Sequence, residues 1–284
     1  MEYLASLHPA TLYTLVVVLG LLVGSFLNVV ILRFPAALIH DWKCQCRELL
    51  GLDGEPGAAP ANIASGRSRC PACEHSIAWY DNIPVVSWLV LRGRCRNCAA
   101  AISVRYPVIE LVTAILSVVV LWRLGPTGAG LAGLVLTWAL IAAAGIDLDH
   151  KLLPDQITLP LLWLGLLLNL FGTFTDLQSA VIGAIAGYLA LWLVFHLFRL
   201  VTGKEGMGYG DFKLLAAIGG WFGWQVLPTV ILLASGVGAV LGLALIALRR
   251  MGREVPIAFG PFLAAAGWLV LVGGESIIDF WLLF

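Results

Sequence analysis

Charge is scarce in this chain: 17 acidic and 17 basic residues in 284, against 60% hydrophobic. With a mean hydropathy of +0.94, so little polar surface excludes an ordinary soluble domain and places the chain among polytopic membrane proteins, whose solvent is the bilayer. Because the two signs cancel, net charge carries no argument for a nucleic-acid partner. No Gly-x-Gly-x-x-Gly strand-turn-helix element is present, which removes the usual sequence mark of a nucleotide site. No internal repeat is visible. The first apolar segment lacks a small-residue cleavage site and carries the polar Asn28, so it is expected to be retained rather than removed as a leader.

Apolar runs are abundant. A crossing helix needs about 20 apolar residues, and 11–32, 106–124, 129–148, 156–173, 179–198, 226–248 and 257–283 supply such runs, with a shorter one at 212–225. This predicts an all-α polytopic membrane protein of about eight transmembrane segments. The sixth, interrupted by "GGWFGW", is expected to be short or re-entrant. Arg33 to Arg105 holds nine of the 17 basic residues. Lys151, Arg199, Lys204, Lys213, Arg249, Arg250 and Arg253 fall in alternate connections, leaving Arg123 alone on the opposite side. The bias of Lys and Arg toward cytoplasmic loops then places both termini outside and the basic loops in the cytoplasm, facing anionic lipid headgroups. Trp122, Trp221, Trp224 and Trp281 fall at the predicted outer ends, where interfacial aromatics belong. The expected division is a first helix over 1–32, a cytosolic loop over 33–105 and a membrane core over 106–284.

Of the six cysteines, four form two C-x2-C knuckles, "CPAC" (Cys70, Cys73) and "CRNC" (Cys95, Cys98). Two tight chelating turns at this separation are what a tetrahedral four-thiolate zinc site requires, and a reducing cytosol disfavours the alternative of two disulfides. Cys44 and Cys46 are read as free thiols. The Gly/Pro/Ala-rich stretch Gly51 to Gly66 reads as a linker.

Carboxylates near the membrane are few, and each is a functional hypothesis because an ionisable group there is costly. Glu275 and Asp279, near the end of the last segment, are expected to reach the headgroups. Asp147 and Asp149 lie in "GIDLDHKLLPD", where the third segment emerges, and Asp211 in "GMGYGDFK", where the sixth begins at the same face. Strict alternation therefore allows two distant carboxylates to meet. A close pair shares a proton, so that one acts as base on a water and the other as acid toward a carbonyl, chemistry that hydrolyses peptides. Helix dipoles make Asp211 the expected base and Asp147 the expected acid. Asp149, about 200° around the helix, points elsewhere. Gly206, Gly208 and Gly210 would let the backbone turn and approach a substrate strand, and Asp155 is expected to cap the next helix. A proton- or cation-coupled transporter also uses membrane carboxylates, but at the midplane rather than at one face.

The blocks "GSFLNVVILRFP", "CPAC…WYDNIPVVSWLVLRGRCRNC…ISVRYPVIE", "IDLDHKLLPD" and "GMGYGDFKLLAAIG", in that order from about residue 24 to 220, together resemble the bacterial type IV prepilin peptidases, which also serve type II secretion. The resemblance implies a Gly-x-Gly-Asp aspartic peptidase of the bacterial inner membrane, cutting prepilins and pseudopilins at the cytoplasmic face after a glycine. It also implies N-methylation of the new amino terminus from S-adenosylmethionine. On that resemblance Asp147 and Asp211 are the catalytic aspartates, Gly208 and Gly210 belong to the Gly-x-Gly-Asp loop, and Cys70, Cys73, Cys95 and Cys98 bind structural Zn2+. No residue marks the methyl donor's site. Asn28, Arg33 and Glu110, near the cytosolic ends of the first two segments, are candidates to line a cofactor pocket, with an interhelical polar cluster as the alternative.

Overall fold

The computed structural model describes residues 8–52, 57, 60, 68–248 and 257–274. Among these the chain is helical throughout, with no strand and only two isolated bridges, Arg69 to Ser76 and Arg94 to Ala101. Five helices are long and apolar enough to cross a membrane: Pro9–Leu49, Arg105–Leu124, Gly128–His150, Leu177–Thr202 and the segment Trp224–Ala247. The protein is thus an all-helical, multi-pass membrane protein. Its helices are α1 (Pro9–Leu49), α2 (Val86–Val90), α3 (Arg105–Leu124), α4 (Gly128–His150), α5 (Asp155–Asn169), α6 (Leu177–Thr202), α7 (Tyr209–Phe222), α8 (Leu227–Ala247) and α9 (Gly260–Gly273). Arg249, Arg250, Arg253, Glu275, Asp279, Trp281 and most of the Gly51 to Gly66 stretch lie outside the described residues.

The chain divides into two compact units, Glu2–Val119 and Val120–Phe284. In the first, α1 continues well past Arg33, where the apolar run ends, to Leu49. Ile31, Pro35 and Leu38 are buried along it, a spacing of four and three residues that keeps one face covered after the sequence turns polar. α1 lies close against α3: a Cβ at Gly20 would come within 2.6 Å of the Ala114 Cα, and one at Gly24 within 2.6 Å of the Glu110 Cα. Small residues at such crossings let two backbones approach, the usual source of packing energy where lipid removes the hydrophobic drive.

In the second unit α6 and α7 make the closest crossing. A Cβ on Gly183 would strike the Gly219 carbonyl oxygen, and one on Gly219 the Gly183 carbonyl. A Gly187 Cβ would fall 2.7 Å from the Leu215 oxygen. Overpacking of this kind costs about 1–3 kcal/mol. Gly183→Val is therefore expected to lower the thermal midpoint of the purified protein and its membrane level together, whereas Gly236→Ala, within α8 with nothing nearby to strike, should leave the packing intact. An unchanged melting curve for Gly183→Val would contradict this account of the crossing.

α7 is short: at 1.5 Å per residue its 14 residues reach about 21 Å, less than the ~30 Å hydrocarbon core. It ends at Gly223, whose φ of 87° suits only glycine. Trp221, expected at the outer interface, is instead fully buried. Its indole N–H donates to the Leu161 carbonyl at 2.7 Å, and its ring fills the space that Gly165 leaves on α5. A tryptophan with a satisfied N–H is as well placed in a core as at a headgroup. Trp122 and Trp224 are exposed, as an interfacial position requires.

Candidate active site

α4 carries Asp147 in its last turn. Thr127 caps the start of this helix, accepting from the Gly130 N–H at 3.1 Å, and Lys151, in the left-handed region at φ 53°, closes its end with an N–H donated to the Asp147 carbonyl at 2.8 Å. The chain then runs through Leu152 and Leu153 to Pro154, which opens α5. Asp155 does not cap α5. Its carboxylate takes the Lys213 ammonium at 2.6 Å instead, a cross-helix charge pair that ties the start of α5 to α7.

The Asp147 side chain is 5% exposed, while Asp149, two residues on, is exposed to solvent. The Asp147 Oδ2 accepts the Gly260 backbone N–H at 2.9 Å, one of the free donors at the start of α9. The fit is close: a Cβ on Gly260 would sit 2.7 Å from that same oxygen. Asp211 is in the first turn of α7, also 5% exposed. Its Oδ2 accepts the Gly208 N–H at 3.2 Å, as a capping carboxylate does. Its Oδ1 is buried with no hydrogen-bond partner in the protein. The two carboxylates lie within electrostatic reach of one another. Leu153 bridges their surroundings: its Cβ lies 2.5 Å from where a Gly210 Cβ would be, and its Cδ1 3.0 Å from where a Gly260 Cβ would be. Gly210 thus makes room for a segment of its own chain, while Gly208, at φ −84° with nothing tight against it, keeps ordinary backbone geometry.

Gly260 and Leu153 carry no polar group to single them out in the sequence. The Gly-Pro step at 260–261, where a proline sits in a first helical turn, marks the start of α9 but not the carboxylate it serves.

In the other unit the two cysteine knuckles are one turn built twice. The Cys70 N–H donates to His75 and the Glu74 N–H back to Cys70; Cys95 donates to Ala100 and Ala99 back to Cys95. Glu74 and Ala99, each following the second cysteine, have φ near +56°, at 55° and 57°. The four sulfurs lie within 4.8 Å of one another, Cys70 and Cys98 at 3.7 Å. A tetrahedron with Zn–S of about 2.3 Å sets its sulfurs about 3.8 Å apart, so the donor set fits zinc. The Cys73 thiol is lowered to about 6 by the His75 backbone N–H and then the Asn97 amide. Cys98 receives the Ala100 N–H, which lowers it, but the neighbouring sulfurs and burial outweigh this and push it up to about 12. Cys44 and Cys46 sit near the end of α1, outside the cluster.

Asn28, Arg33 and Glu110 all line one cavity of about 620 Å³ within the first unit, inside the range of sites for small organic ligands. Glu110 is buried and accepts the Val85 N–H at 2.7 Å and the Ser25 hydroxyl. Val85 has φ 61° and ψ −49°, with the Val86 N–H donated to Pro84 O at 2.6 Å: a γ-turn of the rare positive-φ kind. For a β-branched residue such backbone costs about 1–3 kcal/mol. Ser87 holds it, accepting the Ile83 N–H at 2.9 Å and donating to the Tyr80 carbonyl at 2.9 Å. No sequence pattern announces a positive φ at valine.

The bacterial peptidase A24 N-terminal domain matches residues 18–124, and the type IV leader peptidase family matches residues 134–243. A prepilin leader peptidase/N-methyltransferase of Stutzerimonas stutzeri is 54% identical over 283 residues, covering 100% of this chain and 98% of its own. Proteins of the same name from Pseudomonas aeruginosa, 54% identical over 284 residues (100% and 98%), and Aeromonas hydrophila, 55% over 275 (96% and 95%), are equally similar. No solved structure matches the chain significantly.

Proposed function

The chain belongs to the type IV leader peptidase family, and from that premise we propose that it removes the basic leader from type IV prepilins and prepilin-like secretion proteins and N-methylates the new amino terminus. The observation that carries the peptidase half is the placement of Asp147 and Asp211, 64 residues apart in sequence, at the ends of two helices in one unit, within electrostatic reach of one another, both buried and each held through one oxygen by a backbone N–H. Asp211 keeps a second, unpartnered oxygen, which suits it to take a proton from a water. Asp147 gives its proton to the scissile carbonyl oxygen as that water attacks the carbon. The tetrahedral centre then collapses, the C–N bond breaks, and a proton passes to the leaving amine. The Gly260 N–H fixes the Asp147 carboxylate while the proton moves.

The bias of basic residues toward cytoplasmic loops supports a position for the dyad and the cysteine module on the cytoplasmic side of the inner membrane, where a basic leader also stays. The junction of leader and apolar pilin helix then lies at the depth of the aspartates. The four cysteines hold structural Zn2+. The cavity lined by Asn28, Arg33 and Glu110 has the size and the polar groups for S-adenosylmethionine, which when bound supplies a sulfonium methyl to an amine.

Purified protein in lipid, given a synthetic prepilin with and without S-adenosylmethionine, tests both halves by mass spectrometry. A shortened pilin in each case, and a methyl increment only with the cofactor, is the expected result; an uncut substrate would overturn the proposal. The separate groups also predict separable activities. Asp211→Asn should still methylate a pre-cleaved pilin, and its failure to do so, while folded and binding the cofactor normally, would mean one shared site.

A further inference from the structure

Between the two knuckles the stretch "IPVVSWLVL", Ile83 to Leu91, carries no charge and a single hydroxyl, Ser87. Ser87 is buried. α2 turns its other side outward: Val86, Leu89 and Val90 are 53, 61 and 70% exposed, at the i, i+3, i+4 spacing of one helix face. Exposed apolar residues gathered into a stripe mark a contact with something other than water. Backbone donors along the stretch are bonded within the protein: Val85 to Glu110, Ser87 to Ile83, Leu89 to Val85, Leu91 to Ser87 and Gly93 to Trp88. A chain that leaves water needs such internal partners.

The packing of α1 on α3 sets the depth of this face, since both belong to the same compact unit as α2. Asn28 donates to the Tyr106 carbonyl at 3.2 Å, and a Cβ on Gly24 would fall 2.6 Å from the Glu110 Cα, so Gly24 and Glu110 share one level. Arg33 and Arg105 stand where the two apolar runs end. At 1.5 Å per residue the shared level is about 7.5 Å inside Arg105 and about 13.5 Å inside Arg33. The Glu110 side chain leans back toward its helix start, yet it still meets the Ser25 hydroxyl, itself about 12 Å inside Arg33. The Val85 N–H is 2.7 Å from that carboxylate. The start of α2 therefore lies at the depth where α3 presents Val108, Leu111, Val112 and Ile115 outward. Exposed Arg92 and Arg94 follow α2 directly, and the adjoining turn Trp79–Asn82 exposes Trp79.

We propose that α2 is an interfacial helix, its Val86, Leu89 and Val90 face seated among the acyl chains of the leaflet on the module's side, with Arg92 and Arg94 at anionic headgroups. Lipid is the occupant for three reasons. The face shares its depth with the outward side of α3. A tryptophan and two arginines flank it, the residue types that an anionic membrane interface selects. Three side chains also fall far short of the roughly 800 Å² per partner that a stable protein interface buries. Part of the stretch expected as a cytosolic loop thus lies in the membrane surface, as amphipathic helices do. The bilayer then braces the Val85 turn against Glu110 from outside.

The test uses the intact protein in vesicles of phosphatidylethanolamine and phosphatidylglycerol that carry a diazirine on the acyl chain. After illumination, peptide mass spectrometry should find lipid adducts within residues 83–91 as well as within 108–115 of α3. Adducts on α3 with none at 83–91 would overturn the proposal. Leu89→Glu combined with Val90→Glu puts charge on the outward face and leaves Ser87 in place. Labelling of 83–91 should then fall severalfold while that of α3, the internal measure of correct insertion, holds; undiminished labelling in a correctly inserted variant would overturn the proposal too. Photoreactive benzoylphenylalanine in place of Val90 separates lipid from protein as the occupant. An adduct of lipid mass supports the membrane contact. An adduct to protein instead, whether another segment of this chain, a second copy or an added prepilin, would overturn it.

Discussion

Replacing either Asp147 or Asp211 by asparagine is expected to abolish leader cleavage while leaving the helices packed. Asparagine matches aspartate in size and still accepts the Gly260 or Gly208 N–H through its amide oxygen, so the local geometry survives. What it cannot do is take up or give a proton in the useful range. General acid–base catalysis contributes about 10²–10⁴-fold for each group, and two groups sharing one proton act as a unit, so neither substitution should leave measurable turnover. Asp149→Asn is the control. Its side chain is exposed where that of Asp147 is buried, and cleavage should continue at close to the wild-type rate. The measurement is prepilin processing at equal membrane abundance of the three proteins. Substantial processing by either dyad variant would refute the pair, and an inactive Asp149→Asn beside an active Asp147→Asn would show the partner to be Asp149.

Removal of the metal should unfold the cysteine module. Its elements are two tight knuckles and short turns, with little core to hold them together. A four-thiolate zinc site contributes roughly 10–16 kcal/mol to a small module of this type. Elemental analysis should find about one zinc per chain. Cys73→Ser or Cys95→Ser should lower that content and make residues 68–102 sensitive to protease, and a strong chelator should do the same to the wild-type protein. Full zinc content in a quadruple serine variant of Cys70, Cys73, Cys95 and Cys98 would exclude the site. Loss of zinc through Cys44→Ser or Cys46→Ser would bring in the pair on α1 as ligands. If Glu110 depends on the module through Val85, chelation should also weaken cofactor binding.

The sequence alone determined what depends on one residue and its solvent, or on spacing along the chain. Apolar runs have nowhere to go but the bilayer, so hydropathy yields the helical, multi-pass class. Two C-x2-C pairs offer sulfurs placed for one tetrahedral ion because the turn that joins each pair is local. Carboxylates stand out near a membrane because burial of charge is costly wherever it occurs. Tertiary structure decided what depends on a partner distant in the chain. Trp221 moved from the expected interface into the core because Gly165 leaves space for its ring and Leu161 accepts its N–H. Asp155 became the partner of Lys213 rather than a helix cap because α7 brings an ammonium to it. α1 continued past Arg33 because Pro35 and Leu38 remain covered, which hydropathy cannot register. Gly260, Leu153 and Val85 act through backbone position, by an N–H, a close contact and a positive φ, and a side-chain alphabet does not encode such roles until the chain has folded.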